Sequence, residues 1–114
     1  MSNTFHLRGR HWMATLRGVK NMTPQFIQDV VKTSLQDCGA TIVGYNEHIF
    51  DNNAITCCFL LCESHCTVHT YPEVNSLWID CFTCGENFNV QKFQQLIILH
   101  LHTEEIDIQL IRRN

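Results

Sequence analysis

The sequence predicts one α+β domain, a two-layer sandwich with two helices on one face of a mainly antiparallel sheet and a second copy stacked against the other face (αββα). Three observations predict it. Hydrophobic periodicity changes along the chain in the order strand, helix, several strands, helix, strand. The length of 114 residues suits a single core, which usually runs ~100 to 200 residues, so 1–114 reads as one domain without linker or repeat. The run Ile55 to Leu61 is apolar without alternation, as in a strand covered on both faces, and so short a chain has only another copy of itself to cover the second one.

Each element has its own signal. Between His11 and Leu16, the residues Trp12, Ala14 and Leu16 alternate with His11, Met13 and Thr15, which marks a first strand, and Gly18 and Asn21 end it. Thr23 and Pro24 then supply a cap and a first helical turn. Phe26, Ile27, Val30, Val31, Leu35 and Cys38 follow at helical spacing as far as Gly39. Thr41 to Tyr45 reads as a second strand, Asp51-Asn52-Asn53 as a turn and Ile55 to Leu61 as a third strand. Glu63 to Tyr71 stays in β-favouring residues until Pro72, which cannot donate to a ladder. Leu77 to Thr83 is a further strand. Asn89 opens a second helix with Val90, Phe93, Leu96, Ile97 and Leu101 on one face, and Ile106, Ile108 and Leu110 alternate with polar residues in a last strand.

Composition excludes several classes. Hydrophobic residues are 45% and charged ones 17%, enough apolar surface to offset the entropy of ordering, so global disorder is out. A net charge of −3, with no basic stretch longer than Arg112-Arg113, argues against nucleic acid as a partner. No apolar run approaches the ~20 residues of a membrane span, and no signal-peptide core stands at the N-terminus; the expectation is a cytoplasmic protein that neither crosses nor binds a membrane. Seven cysteines, an odd number including adjacent Cys57 and Cys58, cannot all pair within the chain, and most read as small buried hydrophobes in a reducing compartment.

Reactive side chains concentrate in Cys62-Glu63-Ser64-His65-Cys66-Thr67-Val68-His69-Thr70-Tyr71-Pro72-Glu73, with Cys81 and Cys84 shortly after. A polar edge strand with satisfied histidines would be the bland explanation, but so many polar groups are costly to place in a sheet without compensation. A zinc site built from Cys62, Cys66, Cys81 and Cys84 with His65 and His69 is a second reading. Residues four apart on a strand, however, share a face ~13 Å from each other at ~3.3 Å per residue, too far for one ion. No metal is therefore expected.

The third reading is recognition. Glu63-Ser64-His65, then His69-Thr70-Tyr71-Pro72-Glu73, then Phe82-Thr83-Cys84-Gly85 resembles the short prokaryotic form of S-adenosylmethionine decarboxylase, whose members show Glu-Ser-His, His-Thr-Trp-Pro-Glu and Phe-Thr-Cys-Gly runs at these spacings. Gly39-Ala40-Thr41 and His48-x-Phe50 extend the likeness over most of residues 9 to 111.

The resemblance implies a pyruvoyl enzyme. Decarboxylating an amino acid needs an electron sink that no ordinary side chain offers, so a carbonyl must be made. Self-cleavage between 63 and 64 would supply it: Ser64 Oγ attacks the Glu63 carbonyl, the ester loses the serine α-proton, and residue 64 becomes a pyruvoyl group able to form a Schiff base with substrate. His69 matches the processing histidine, and Thr56 stands where the family has a processing serine. Cys84 matches the proton donor, a task that suits a thiol with an ordinary pKa of ~8.5. Phe50 and Tyr71 match aromatics that stack on adenine, and Glu73 matches the carboxylate that takes the ribose hydroxyls. The implied product is the aminopropyl donor for spermidine and other polyamines, made by a homodimer of cleaved protomers.

The chain departs from the family pattern at Tyr71, usually Trp, at Thr15, commonly Asp, and at Arg17-Gly18-Val19, which replaces aromatic-Gly-Cys. Pyruvoyl decarboxylases of arginine or ornithine would share the roles of Glu63, Ser64 and Cys84, and stand as the runner-up. A regulatory homologue that never cleaves itself and a zinc-binding module remain the non-enzyme alternatives.

Overall fold

The computed structural model describes residues 9–84 and 87–113; Gly85, the last residue of the Phe-Thr-Cys-Gly run, lies outside them. Six strands and two helices follow in the order β1 (Gly9–Arg17), α1 (Pro24–Asp37), β2 (Ile42–Ile49), β3 (Ile55–Leu61), β4 (Ser64–Tyr71), β5 (Ser76–Thr83), α2 (Val90–Leu101) and β6 (Glu105–Arg113). They form one sheet in the order β2-β3-β4-β5-β1-β6, antiparallel at every pairing.

Because side chains alternate across a strand, the register sorts the sheet into two faces. Trp12, Ala14, Leu16, Cys57, Phe59, Cys66, Val68, Leu77, Ile79 and Cys81 are buried with Ile27, Val31 and Leu35 of α1 and Phe93, Ile97 and Leu101 of α2. The Trp12 ring meets Phe93 edge-on at 5.3 Å, and its indole N–H donates to Gln94 Oε1 at 2.9 Å, which satisfies the one polar atom that this large core residue carries.

Helix boundaries fall where the local chemistry puts them. Asn89 caps α2 by accepting from the Lys92 amide at 3.0 Å. The capping role expected of Thr23 is corrected: its hydroxyl donates to Asn21 Oδ1, and α1 begins on Pro24 without a side-chain cap. Gly39 follows α1 at φ +100°, where a Cβ would come within 2.7 Å of the Asn87 carbonyl oxygen.

One strand differs from the sequence reading. β2 runs on to Ile49 through Asn46, Glu47 and His48, polar residues that an edge strand tolerates because only one side of it is paired. Within one chain β3 is not covered on both faces: Ile55, Cys57, Phe59 and Leu61 are buried under the helices, while Thr56 is exposed and Leu60 is 52% exposed on the other side. That open face also carries Tyr71, Trp78 and Ile111, 44–46% exposed.

Candidate active site

Two hairpins position the chemistry. β3 and β4 are joined by Cys62 and Glu63 alone, and the turn is held by the Cys62 amide donating to the Thr41 carbonyl at 3.0 Å. Glu63 sits at φ +64°, a left-handed conformation that costs a residue with a side chain about 1 kcal/mol. The next residue, Ser64, pairs with Thr83 at the end of β5, which brings Cys84 to the same turn. Its thiol donates to the Glu63 carbonyl oxygen at 2.9 Å. Beside them, Ser64, Glu63, Thr83, Asn87 and Phe88 help to line a pocket of about 280 Å³ between the turn and the segment after α1.

The remaining expected residues gather at the other end of the same strands. His48, Thr56, His69, Trp78 and Thr15 lie in one cross-strand row on the open face. Thr56 Oγ1 and His69 Nδ1 are hydrogen-bonded at 2.6 Å. Trp78 lies under both His69, at 5.9 Å, and Tyr71, at 6.2 Å, with nearly parallel rings. Phe50 packs edge-on against His48 at 4.5 Å, and Glu73 Oε2 accepts from Asn52 Nδ2 at 2.8 Å, tying the β2–β3 turn to the segment after β4.

The expected residues thus fall into two groups. Glu63, Ser64 and Cys84 stand at one end, and Phe50, Thr56, His69, Tyr71 and Glu73 at the other. Ser64 and His69 are five residues apart on β4, about 16 Å at ~3.3 Å per residue, and an odd separation turns their side chains to opposite faces. One chain therefore cannot bring its own Ser64 and His69 into contact.

Arg17, a departure from the expected pattern, forms an ion pair with Asp107 at 2.8 Å, and its pKa is raised by that hydrogen bond. Its charge is answered within the sheet. The four-cysteine zinc arrangement is not assembled: Cys62 is exposed in the turn, whereas Cys66 and Cys81 are buried opposite each other on the helix side. Burial pushes the Cys57 thiol up to about 11 and holds Cys66 well above the ordinary thiol range.

Sequence reasoning passed over Trp78 and the grouping of His65, weighed there only beside cysteines and His69, with His11 and Asp80 on the open face, where the ligand atoms of the three all lie within 4.8 Å of one another. Their positions, 69 residues apart for His11 and Asp80, carry no local signal; only the antiparallel register of β4, β5 and β1 unites them.

A strained turn before Ser64, a thiol on the Glu63 carbonyl and an adjoining pocket fit a prosthetic group made from Ser64. Comparison with known proteins gives relatives of one kind. The profile of the S-adenosylmethionine decarboxylase family matches residues 10–114. An S-adenosylmethionine decarboxylase proenzyme of Methanococcus maripaludis is 32% identical over 108 residues, spanning 92% of this chain and 88% of that one. One from Symbiobacterium thermophilum is 40% identical over 80 residues, 68% of this chain and 61% of the relative's length, just under two thirds of it. Among solved structures, the adenosylmethionine decarboxylase of Aquifex aeolicus superposes with a TM-score of 0.84 at 25% identity, covering 95% of this chain and 92% of that one.

Proposed function

The chain belongs to the S-adenosylmethionine decarboxylase family, and we propose that it cleaves itself between Glu63 and Ser64 and then decarboxylates S-adenosylmethionine, with two copies completing each active site. The observation that carries this reading is the 2.9 Å contact of the Cys84 thiol with the Glu63 carbonyl oxygen. It sets an acid beside the bond to be broken and beside the atom that becomes the reactive centre.

In the cleavage step, Ser64 Oγ attacks the Glu63 carbonyl carbon and the peptide C–N bond gives way to an ester. The Cys84 S–H polarises the carbonyl under attack, and the left-handed backbone at Glu63 adds strain next to the bond that breaks. A base then takes the Ser64 α-proton, the Glu63 carboxylate leaves, and water replaces ammonia at residue 64. His69 serves as that base with its proton on Nδ1, donated to Thr56 Oγ1, and with Nε2 toward the reaction.

That His69 comes from the partner subunit. Stacking the open faces of two copies about a two-fold axis covers Leu60, Tyr71, Trp78 and Ile111 and brings the His69 end of one sheet to the Ser64 end of the other. Phe50 and Tyr71 then flank the adenine and Glu73 accepts the ribose hydroxyls. The pyruvoyl group supplies the carbonyl that receives the electron pair left by carbon dioxide. Cys84 returns a proton to the substrate α-carbon, yielding an aminopropyl donor for polyamine synthesis.

The family match favours S-adenosylmethionine over arginine or ornithine. Among the described residues no helix is long and apolar enough to cross a membrane, and the free thiols suit a cytoplasmic setting. Carbon dioxide release measured separately from S-adenosylmethionine, arginine and ornithine tests the reading. Preference for S-adenosylmethionine, weakened by ~1 to 3 kcal/mol in Glu73→Gln, is expected. Preference for a basic amino acid would reject the substrate assignment.

A further inference from the structure

We propose that His11, His65 and Asp80 form a binding site for a divalent transition-metal ion of the zinc type on the open face of the sheet, at the Ser64 end of β4 but built from none of the residues given a role in cleavage or decarboxylation. The three residues stand on β1, β4 and β5, which are neighbours in the sheet. His65, Phe82 and His11 lie in one cross-strand row, and Asp80 is two residues before Phe82 on the same face of β5. His11 Nε2 is 2.7 Å from Asp80 Oδ2, and the ligand atoms of all three residues lie within 4.8 Å of one another. A tetrahedral zinc with bonds of ~2.0 to 2.1 Å holds its ligand atoms about 3.3 Å apart, a separation that these two values bracket.

The surroundings are those of a built site. Thr67 Oγ1 donates to Asp80 Oδ1, the carboxylate oxygen turned away from His11, and so orients the acid as outer-shell partners of metal ligands do. Phe82 positions both imidazoles: His65 stacks on it at 5.8 Å and His11 meets it edge-on at the same distance. The side chains of His11 and Asp80 are 19% and 27% exposed, which strengthens ligation relative to a fully hydrated cluster. Two imidazoles and one carboxylate select zinc, iron, nickel or cobalt over magnesium or calcium, and leave a position open for water or another donor. Arg113, whose guanidinium lies 5.2 Å from the centre of the Phe82 ring, sets a positive charge near the site and weakens its hold on a cation.

All three ligands come from one chain, so a single copy can assemble the set, on the face that the proposed dimer covers. A consequence resting on the proposed cleavage is that His65, the first residue after the modified position, would be tied to two neighbouring strands just where the chain end is most prone to fray.

Titration of the purified wild-type protein with Co2+, read by visible absorption, tests the site. One ion should bind per chain, with ligand-field bands and no thiolate charge-transfer band, and zinc should displace it. His11→Gln and Asp80→Asn should each weaken binding at least ~100-fold, and Thr67→Val, close in shape and still folded, about 10-fold. Absence of saturable binding, a thiolate charge-transfer band, or an affinity unchanged in Thr67→Val would overturn the proposal.

Discussion

The thiol of Cys84 lies 2.9 Å from the carbonyl oxygen of Glu63, across a two-residue turn whose second member is held at φ +64°. Pairing of Ser64 with Thr83 makes this contact, since it aligns the start of β4 with the end of β5. The same thiol thus reaches the bond proposed to break and the position proposed to become reactive.

Replacing that thiol should separate the two stages. Cys84→Ser keeps a hydrogen-bond donor for the Glu63 carbonyl but a far weaker acid, so the chain should still cleave while carbon dioxide release falls at least ~100-fold. Turnover at the wild-type rate would remove Cys84 as the proton donor.

The separation of Ser64 and His69 by about 16 Å along β4, together with the proposed stacking of two copies, predicts complementation between defective chains. Ser64→Ala and His69→Ala, each produced alone, should stay uncleaved. Produced together, they should yield cleavage of the His69→Ala chain only, because its Ser64 meets an intact His69 on the partner. If mass spectrometry of the mixture showed no cleavage, completion of the site by two copies would be wrong.

The hydrogen bond between Thr56 and His69 assigns Thr56 a positioning role. Thr56→Val should slow cleavage about tenfold, as when a hydrogen bond to a group gaining charge is lost, and Thr56→Ser should restore it. Equal rates in all three chains would leave His69 acting without Thr56.

Thiol reactivity should follow burial. The Cys57 thiol, raised to about 11 by burial, would be ionised to roughly one part in a thousand at pH 8, and burial holds Cys66 well above the ordinary thiol range. Peptide mapping after brief alkylation of the folded protein should find Cys62, exposed in the turn, labelled before either. Early labelling of Cys57 or Cys66 would mean that the helix-covered face opens readily.

Much of this architecture is legible in local sequence. Pro24 and Gly39 bracket the first helix, Asn89 starts the second, and the alternation of Trp12, Ala14 and Leu16 shows which side of β1 meets the helices. β2 was harder to read, because its second half is a polar edge that needs no apolar alternation. Ser64, His69 and Cys84 are recognisable from their motifs, but the distance between Ser64 and His69 follows only once the motif is laid on a single strand. The His11 and Asp80 pair is invisible to any window, since their meeting depends on β1 pairing with β5 across most of the chain.

An intact-mass spectrum of the purified wild-type protein tests the self-cleavage at the centre of this account most directly. Two species are predicted, one of 63 residues ending at Glu63 and one of the remaining 51, beginning with a pyruvoyl group in place of Ser64, while Ser64→Ala stays a single chain of 114 residues. A wild-type protein that stays at full length and still releases carbon dioxide from S-adenosylmethionine would contradict it.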